Sequence, residues 1–202
     1  MMNNLYIRGH KTTVFSPQIG NNRSPRYEAV FCSKNPGLKP VWASFAGKRV
    51  LITGGMGFIG SNLAHALVRL KAKVLIIDSM FPLYGGNVFN IKGIEGKCKI
   101  VIKDIGEQAF INSLVKNQDF IFSLAGQVSH VDSLEKPFQD LKSNCLAQLS
   151  LLEACKKYNP KTKIVFAGTR GQYGKYTYLP VDENHPTKPI DINGINKMAA
   201  ES

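Results

Sequence analysis

From Lys48 onward, apolar runs of strand length alternate with longer segments of helical period. The runs are RVLIT (49–53), KVLIID (73–78), KIVIKD (99–104), DFIFSLA (119–125) and KIVFAGT (163–169). Each run is continuous instead of alternating, as strands covered on both faces are, and such a sheet is assembled from parallel βαβ units. Between the runs the spacing predicts helices near 59–70 and 107–116. A longer helix ends at LSLLEACKKYN, where Cys145, Leu149 and Leu152 share one face at i, i+4, i+7 spacing. Residues 1–46 show neither the strand nor the helix period, and Asn, Ser, Pro and Gly interrupt every short apolar group. The pattern therefore predicts an α/β fold, a doubly wound parallel sheet over 47–202, behind a mostly disordered extension over 1–46.

Charge sharpens that division. The chain of 202 residues carries a net +12. Within 1–46 six cations (Arg8, Lys11, Arg23, Arg26, Lys34, Lys39) face the single acid Glu28, so the extension is basic. An organelle transit peptide is similarly acid-poor, but the segment lacks an amphipathic helix and is read as a basic tail without a function of its own. Elsewhere the lysines (Lys71, Lys73, Lys92, Lys97, Lys99, Lys103) are scattered, with no interleaved aromatics, which indicates a solvated surface and no specific nucleic-acid partner. The cysteines Cys32, Cys98, Cys145 and Cys155 form no CxxC pair and have no histidine at ligand spacing, so neither a metal site nor a disulfide framework is expected. No apolar run approaches the roughly 20 residues that span a bilayer, and the first residues lack the core of a secretory signal. A cytoplasmic protein without a membrane partner is the expectation.

The first strand runs into TGGMGFIGSNLAHAL, which puts Gly54, Gly57 and Gly60 at GxxGxxG spacing between a strand and a helix. A pyrophosphate needs such a turn: backbone without Cβ atoms to approach closely, and the positive end of a helix. Asp78 ends the second strand 18 residues beyond Gly60, near the place of a ribose-binding acid. Its carboxylate suits ribose hydroxyls and repels a 2′-phosphate, so NAD is expected over NADP.

With these motifs the sequence resembles the extended short-chain dehydrogenase/reductase family, the NAD-dependent epimerases and dehydratases of nucleotide sugars. The resemblance runs from Lys48 to the end and implies a Rossmann-type fold. TGGMGFIG, including Phe58 and Ile59, resembles the family's nucleotide-binding turn. KDIGE sets Asp104 and Ile105 where members contact adenine, FSLAGQVS sets Leu124, Ala125 and Gly126 beside the cofactor, and LKSNCLAQLSLLEAC carries Asn144 at the fourth helix's asparagine. VFAGTRGQYG is similar to the strand and turn bearing an active-site hydroxyl, here Thr169, and LPVDENHPTKP to the segment before the catalytic helix.

The family's chemistry rests on a Tyr-x-x-x-Lys pair whose phenolate takes a proton from a sugar hydroxyl as hydride passes to NAD⁺. Lys197 matches the lysine, but Asn193 stands at the tyrosine position. A carboxamide can orient a hydroxyl but has no proton to lose near neutral pH. Tyr173, Tyr176, Tyr178 and His185 precede it as alternative sources of a base, and Arg170 beside Thr169 could pair with a substrate phosphate. The family's sheet continues past the catalytic helix, so the chain is read as the N-terminal portion of a longer enzyme or as an NAD-binding module without turnover. A nucleotide-sugar partner and a possible homodimer through the fourth helix are implied by the resemblance.

Overall fold

The computed structural model describes residues 3–7, 10–14, 44–82 and 84–202. Within the basic extension, β1 (Asn3–Ile7) pairs antiparallel with β2 (His10–Val14). Residues 1, 2, 8, 9 and 15–43 of the segment 1–46, expected to be mostly disordered, lie outside the described residues.

The remaining strands are β3 (Arg49–Thr53), β4 (Lys73–Asp78), β5 (Lys99–Ile102), β6 (Phe120–Ser123) and β7 (Lys163–Phe166), all parallel in the order β5-β4-β3-β6-β7. The first two match the apolar runs residue for residue. The last three stop two or three residues short of theirs: one further amide each, of Lys103, Leu124 and Ala167, bonds the neighbouring strand, and the amides of Leu124 and Ala125 also meet the Thr53 hydroxyl as the chain turns at the carboxyl edge.

Successive residues of each strand supply opposite cores. Val50, Ile52, Val74 and Ile76 pack with Ala64 and Leu67 of helix α1 (Phe58–Arg69) and with Ile91 and Ile94. Leu51, Leu75, Ile77 and Ile121 pack on the other side against Ile111 of α2 (Gln108–Leu114) and against Ala147, Leu151 and Ala154. This two-sided burial is why the strands read as unbroken apolar runs.

Short α3 (His130–Glu135) is separated from α4 (Pro137–Leu141) by Lys136 at φ −129°, ψ 60°. The ring of Pro137 disfavours helical geometry for the residue before it. From α4 the chain passes through a π-helical turn, Lys142–Leu146, into α5 (Ala147–Tyr158). The face that Leu149 and Leu152 share is the outer one, 54% and 38% exposed, and Ala147, Leu151, Ala154 and Cys155 are buried. Both sets keep helical spacing, and the stripe with two alanines packs inward because it lets the helix approach the sheet and α2 closely. The last helix, α6 (Ile192–Glu201), packs against α4 and the π-helical turn. No described helix is long and apolar enough to cross a membrane.

Candidate functional site

Strand order reverses between β3 and β6, and in a doubly wound sheet that leaves a crevice at the carboxyl edge. The glycine turn lies there. Gly54 takes φ +67°, and a Cβ on it would stand 2.9 Å from Ala125 Cα, so two independent constraints demand glycine. A Cβ on Gly60 would collide with Gly54 O, which lets α1 start hard against the turn. No side chain caps α1 and no acid occupies its first turn, while Phe58 and Ile59 are exposed. An uncapped helix terminus beside a Cβ-free turn is a cradle for a phosphate group.

Asp78 is buried, and its oxygens are partly used by the turn itself. Oδ2 accepts from Met56 N and Oδ1 from Met80 N, each at 2.9 Å. The carboxylate thus braces the glycine turn against the end of β4, with lone pairs remaining for a ribose hydroxyl. Asp104 Oδ1 accepts from Gly106 N at 2.9 Å. The Ile105 side chain belongs to the core, so only its backbone is available to a ligand. Leu124 and Ala125 are half-buried beside Gly54.

Around Gly126 a second group converges. A Cβ there would stand 3.1 Å from Lys197 Nζ and 2.5 Å from Asn144 Oδ1. Lys197 donates to Ala167 O at 3.0 Å and lies 4.9 Å from the centroid of the Phe166 ring. Burial pulls its pKa down to about 8, against the opposing attraction of Asp140. Asp140 is fully buried and joins three helical segments through asparagine amides: Asn144 and Asn193 donate to Oδ2 at 3.0 Å each, and Asn196 donates to Oδ1 at 2.8 Å. These charge-assisted bonds offset the cost of taking the carboxylate out of water.

Asn193 is therefore turned inward. Its nitrogen also reaches Gln127 O at 3.0 Å and Gln127 Oε1 at 3.2 Å, and the residue is 3% exposed. Its amide hydrogens hold α6 to the loop after β6 instead of orienting a hydroxyl at the surface. Asn144 is equally internal, exchanging bonds with Gln127 O and Gln127 N.

Two of the alternative bases are committed elsewhere. Tyr178 donates its hydroxyl to Asp182 at 2.6 Å, and that bond to a carboxylate pushes its pKa up to about 12. His185 is 3% exposed; the Thr177 amide donates to Nε2 at 2.9 Å, so the ring proton sits on Nδ1, which meets Pro186 O at 2.9 Å. Tyr173 packs edge-on against that ring, and Tyr176 is exposed.

Sequence reasoning missed a different pair. Asp191 caps α6, with Oδ1 accepting from Gly194 N at 2.7 Å, and its Oδ2 meets His130 Nδ1 at 3.0 Å. The imidazole is not remote from Thr169: the Cβ position of Gly171 lies 3.4 Å from Thr169 Oγ1 and 3.5 Å from His130 Cε1. Only the Asp-before-helix pattern of DINGINK hinted at this pair. Among the described residues no cluster of His, Cys, Asp or Glu has the makings of a metal site.

Comparison with known proteins agrees with this architecture. The family model of GDP-mannose 4,6 dehydratase matches residues 51–202. A candidate UDP-glucose 4-epimerase of Methanocaldococcus jannaschii is 36% identical over 154 residues, 75% of this chain and 48% of that protein. The UDP-N-acetylglucosamine 4-epimerase of Methanobrevibacter ruminantium, solved with UDP-N-acetylmuramic acid, superposes with a TM-score of 0.71 at 30% identity, over 77% of this chain and 49% of the other. The UDP-glucose 4-epimerase of Brucella ovis, solved with NAD, gives 0.69 at 25% identity over 77% and 46%. The chain spans about half the length of the curated relatives it matches, 48% and 43% for the first two.

Proposed function

The chain belongs to the extended short-chain dehydrogenase/reductase family of nucleotide-sugar epimerases and dehydratases, and from that premise we propose that it binds NAD and oxidises a sugar carbon of a nucleotide sugar transiently. The observation that carries the reading is the fit of the glycine turn to a dinucleotide: Gly54 and Gly60, where a Cβ would strike backbone, an uncapped helix terminus, and Asp78 at the end of the neighbouring strand. Bound NAD⁺ supplies a hydride acceptor. Gly54, Gly57, Phe58, Ile59 and Gly60 offer backbone to the pyrophosphate and Asp78 accepts from the adenosine ribose. Asp104, the Ile105 backbone, Leu124, Ala125 and Gly126 border the base and nicotinamide ends. Lys197, beside Gly126, holds the nicotinamide ribose and adds positive charge, Asn144 and Asn193 fix the Gln127 loop that carries it, and Thr169 polarises the substrate oxygen.

A second reading, an NAD-binding module without turnover, is favoured by one observation, the inward commitment of Asn193 where the family keeps its phenol. Cysteines without pairing spacing fit a cytoplasmic setting, and the apolar outer face of α5 supports a homodimer.

Calorimetry of NAD⁺ on the full chain and on Asp78→Ala tests cofactor binding. Saturable binding weakened at least tenfold in the variant is expected. Binding unaffected by the substitution would remove the proposed ribose contact. Nicotinamide absorbance during incubation with NAD⁺ and a panel of nucleotide sugars then separates an enzyme from a silent module.

A further inference from the structure

We propose that His130, oriented by Asp191, accepts the sugar-hydroxyl proton in place of the tyrosine that Asn193 replaces. The inference rests on the oxidation reading above and deepens it at one group. Three observations converge. The first is position: Thr169 Oγ1 and His130 Cε1 lie 3.4 and 3.5 Å from the Cβ position of Gly171, so hydroxyl and imidazole stand on either side of one glycine and border the same part of the rim. The second is tautomer. Asp191 Oδ2 is a carboxylate oxygen that only accepts, so in the neutral ring Nδ1 carries the proton and Nε2 presents its lone pair. The third is access. The His130 side chain is 48% exposed, whereas His185 has both nitrogens engaged and is buried. Besides Asp191, the charged group nearest in sequence is Asp132 of the same helix, whose amide caps onto Ser129.

The step balances. The hydroxyl O–H bond breaks and its proton goes to His130 Nε2. The C–H bond on the same carbon breaks as hydride passes to NAD⁺, and the carbon–oxygen double bond forms, leaving a keto-sugar, NADH and an imidazolium on Asp191. Asp191 is a positioning residue. Its role differs from simple capping because its two oxygens serve two partners, Oδ1 the Gly194 amide and Oδ2 the imidazole.

That division supplies the test. In Asp191→Asn the carbonyl oxygen keeps the cap and the NH₂ turns to the ring, so Nδ1 must accept and the proton moves to Nε2, where it blocks the base. Two measurements are made on the full chain with His130→Gln, Asp191→Asn and wild type. Two-bond ¹H–¹⁵N spectra of the neutral histidines, with His130 assigned by its loss in His130→Gln, are expected to show the Nδ1–H tautomer in wild type and Nε2–H in Asp191→Asn. The rate at which reduced-nicotinamide absorbance appears in a single turnover of the NAD⁺-loaded chain with the nucleotide-sugar panel is expected to fall about 10²- to 10⁴-fold in both variants, with NAD⁺ affinity within twofold of wild type. An Nε2–H tautomer in wild type overturns the proposal whether or not turnover is found. Unchanged turnover in His130→Gln overturns it and leaves the oxidation reading standing. No turnover in wild type, with NAD⁺ still bound, overturns the oxidation reading and this proposal with it.

Discussion

Lys197→Met probes how far burial governs the site. Lys197 is 7% exposed and its ammonium donates to Ala167 O at 3.0 Å. Burial outweighs the attraction of Asp140 and takes its pKa from 10.5 to about 8. The folded chain thus holds this proton less tightly than the unfolded chain. The lysine costs stability in full below about pH 8, and the cost disappears as pH rises toward 10.5. A displacement of that size amounts to about 3 kcal/mol. Methionine removes the titration but leaves Ala167 O without this donor, a loss of roughly 1–3 kcal/mol that does not depend on pH. A single stability difference therefore mixes two opposing effects, whereas its change with pH isolates one. Between about pH 7 and about pH 9.5 wild type should gain about 2 kcal/mol relative to Lys197→Met. Urea unfolding of both proteins at both pH values reads this directly, provided the slopes agree. A difference that stays constant with pH would refute the reasoning, because every other titrating group is common to the two chains.

Three further outcomes are expected. Gly60→Ala puts a methyl against Gly54 O, so it should abolish NAD⁺ binding by calorimetry and lower the unfolding midpoint, since backbone on backbone has nowhere to yield. Asp140→Asn removes the charge that three asparagine amides share and should cost about 3 kcal/mol in urea unfolding, with a partial recovery expected if Asn193 is changed to Ala as well. The Cys155 thiol, pushed up to about 11 by burial, should be the slowest of the described cysteines to alkylate at mildly alkaline pH, and peptide mapping should show its rate rising with denaturant as the chain unfolds.

The fold was legible where burial and pairing end together. Glycine closes β3 at Thr53, and Ser79 follows the last residue of β4, so the apolar run and the ladder stop at the same residue. At β6 and β7 they part. Leu124, Ala125 and Ala167 continue the apolar composition past the last paired residues, where Leu124 N and Ala167 N still reach Thr53 O and Ser123 O before the chain turns into the crevice. Composition reports burial and says nothing of pairing. Which face of α5 turns inward was not legible for a related reason: two stripes of helical spacing run along it, and the choice between them depends on how closely the helix must approach α2. In the site, Gly54, Gly57, Gly60 and Asp78 were legible because a turn and its neighbouring strand end are local and their chemistry is fixed by spacing. The contacts of Asp140 with Asn193 and of His130 with Asp191 span 53 and 61 residues, and no local pattern encodes such separations.

Those long-range contacts bear on what Asn193 means. Had the phenol simply been lost, its place would leave unpaired polar groups or a gap beneath the start of α6. Instead Asn193, Asn144 and Asn196 close around Asp140, and the Gln127 backbone and side chain complete the set. Among the described residues the buried side-chain atoms without a partner are Gln118 Oε1 and Thr162 Oγ1. Both residues precede β6 and β7, at the amino edge of the sheet, away from the crevice. Among the described residues both unpartnered atoms thus lie away from the carboxyl edge, where the exposed imidazole of His130 is aligned by the residue that caps α6. Asp140 is bonded by Asn144, Asn193 and Asn196, while Asp191, two residues before Asn193, divides its oxygens between the Gly194 amide and the His130 imidazole, and the proposed proton transfer rests on that division.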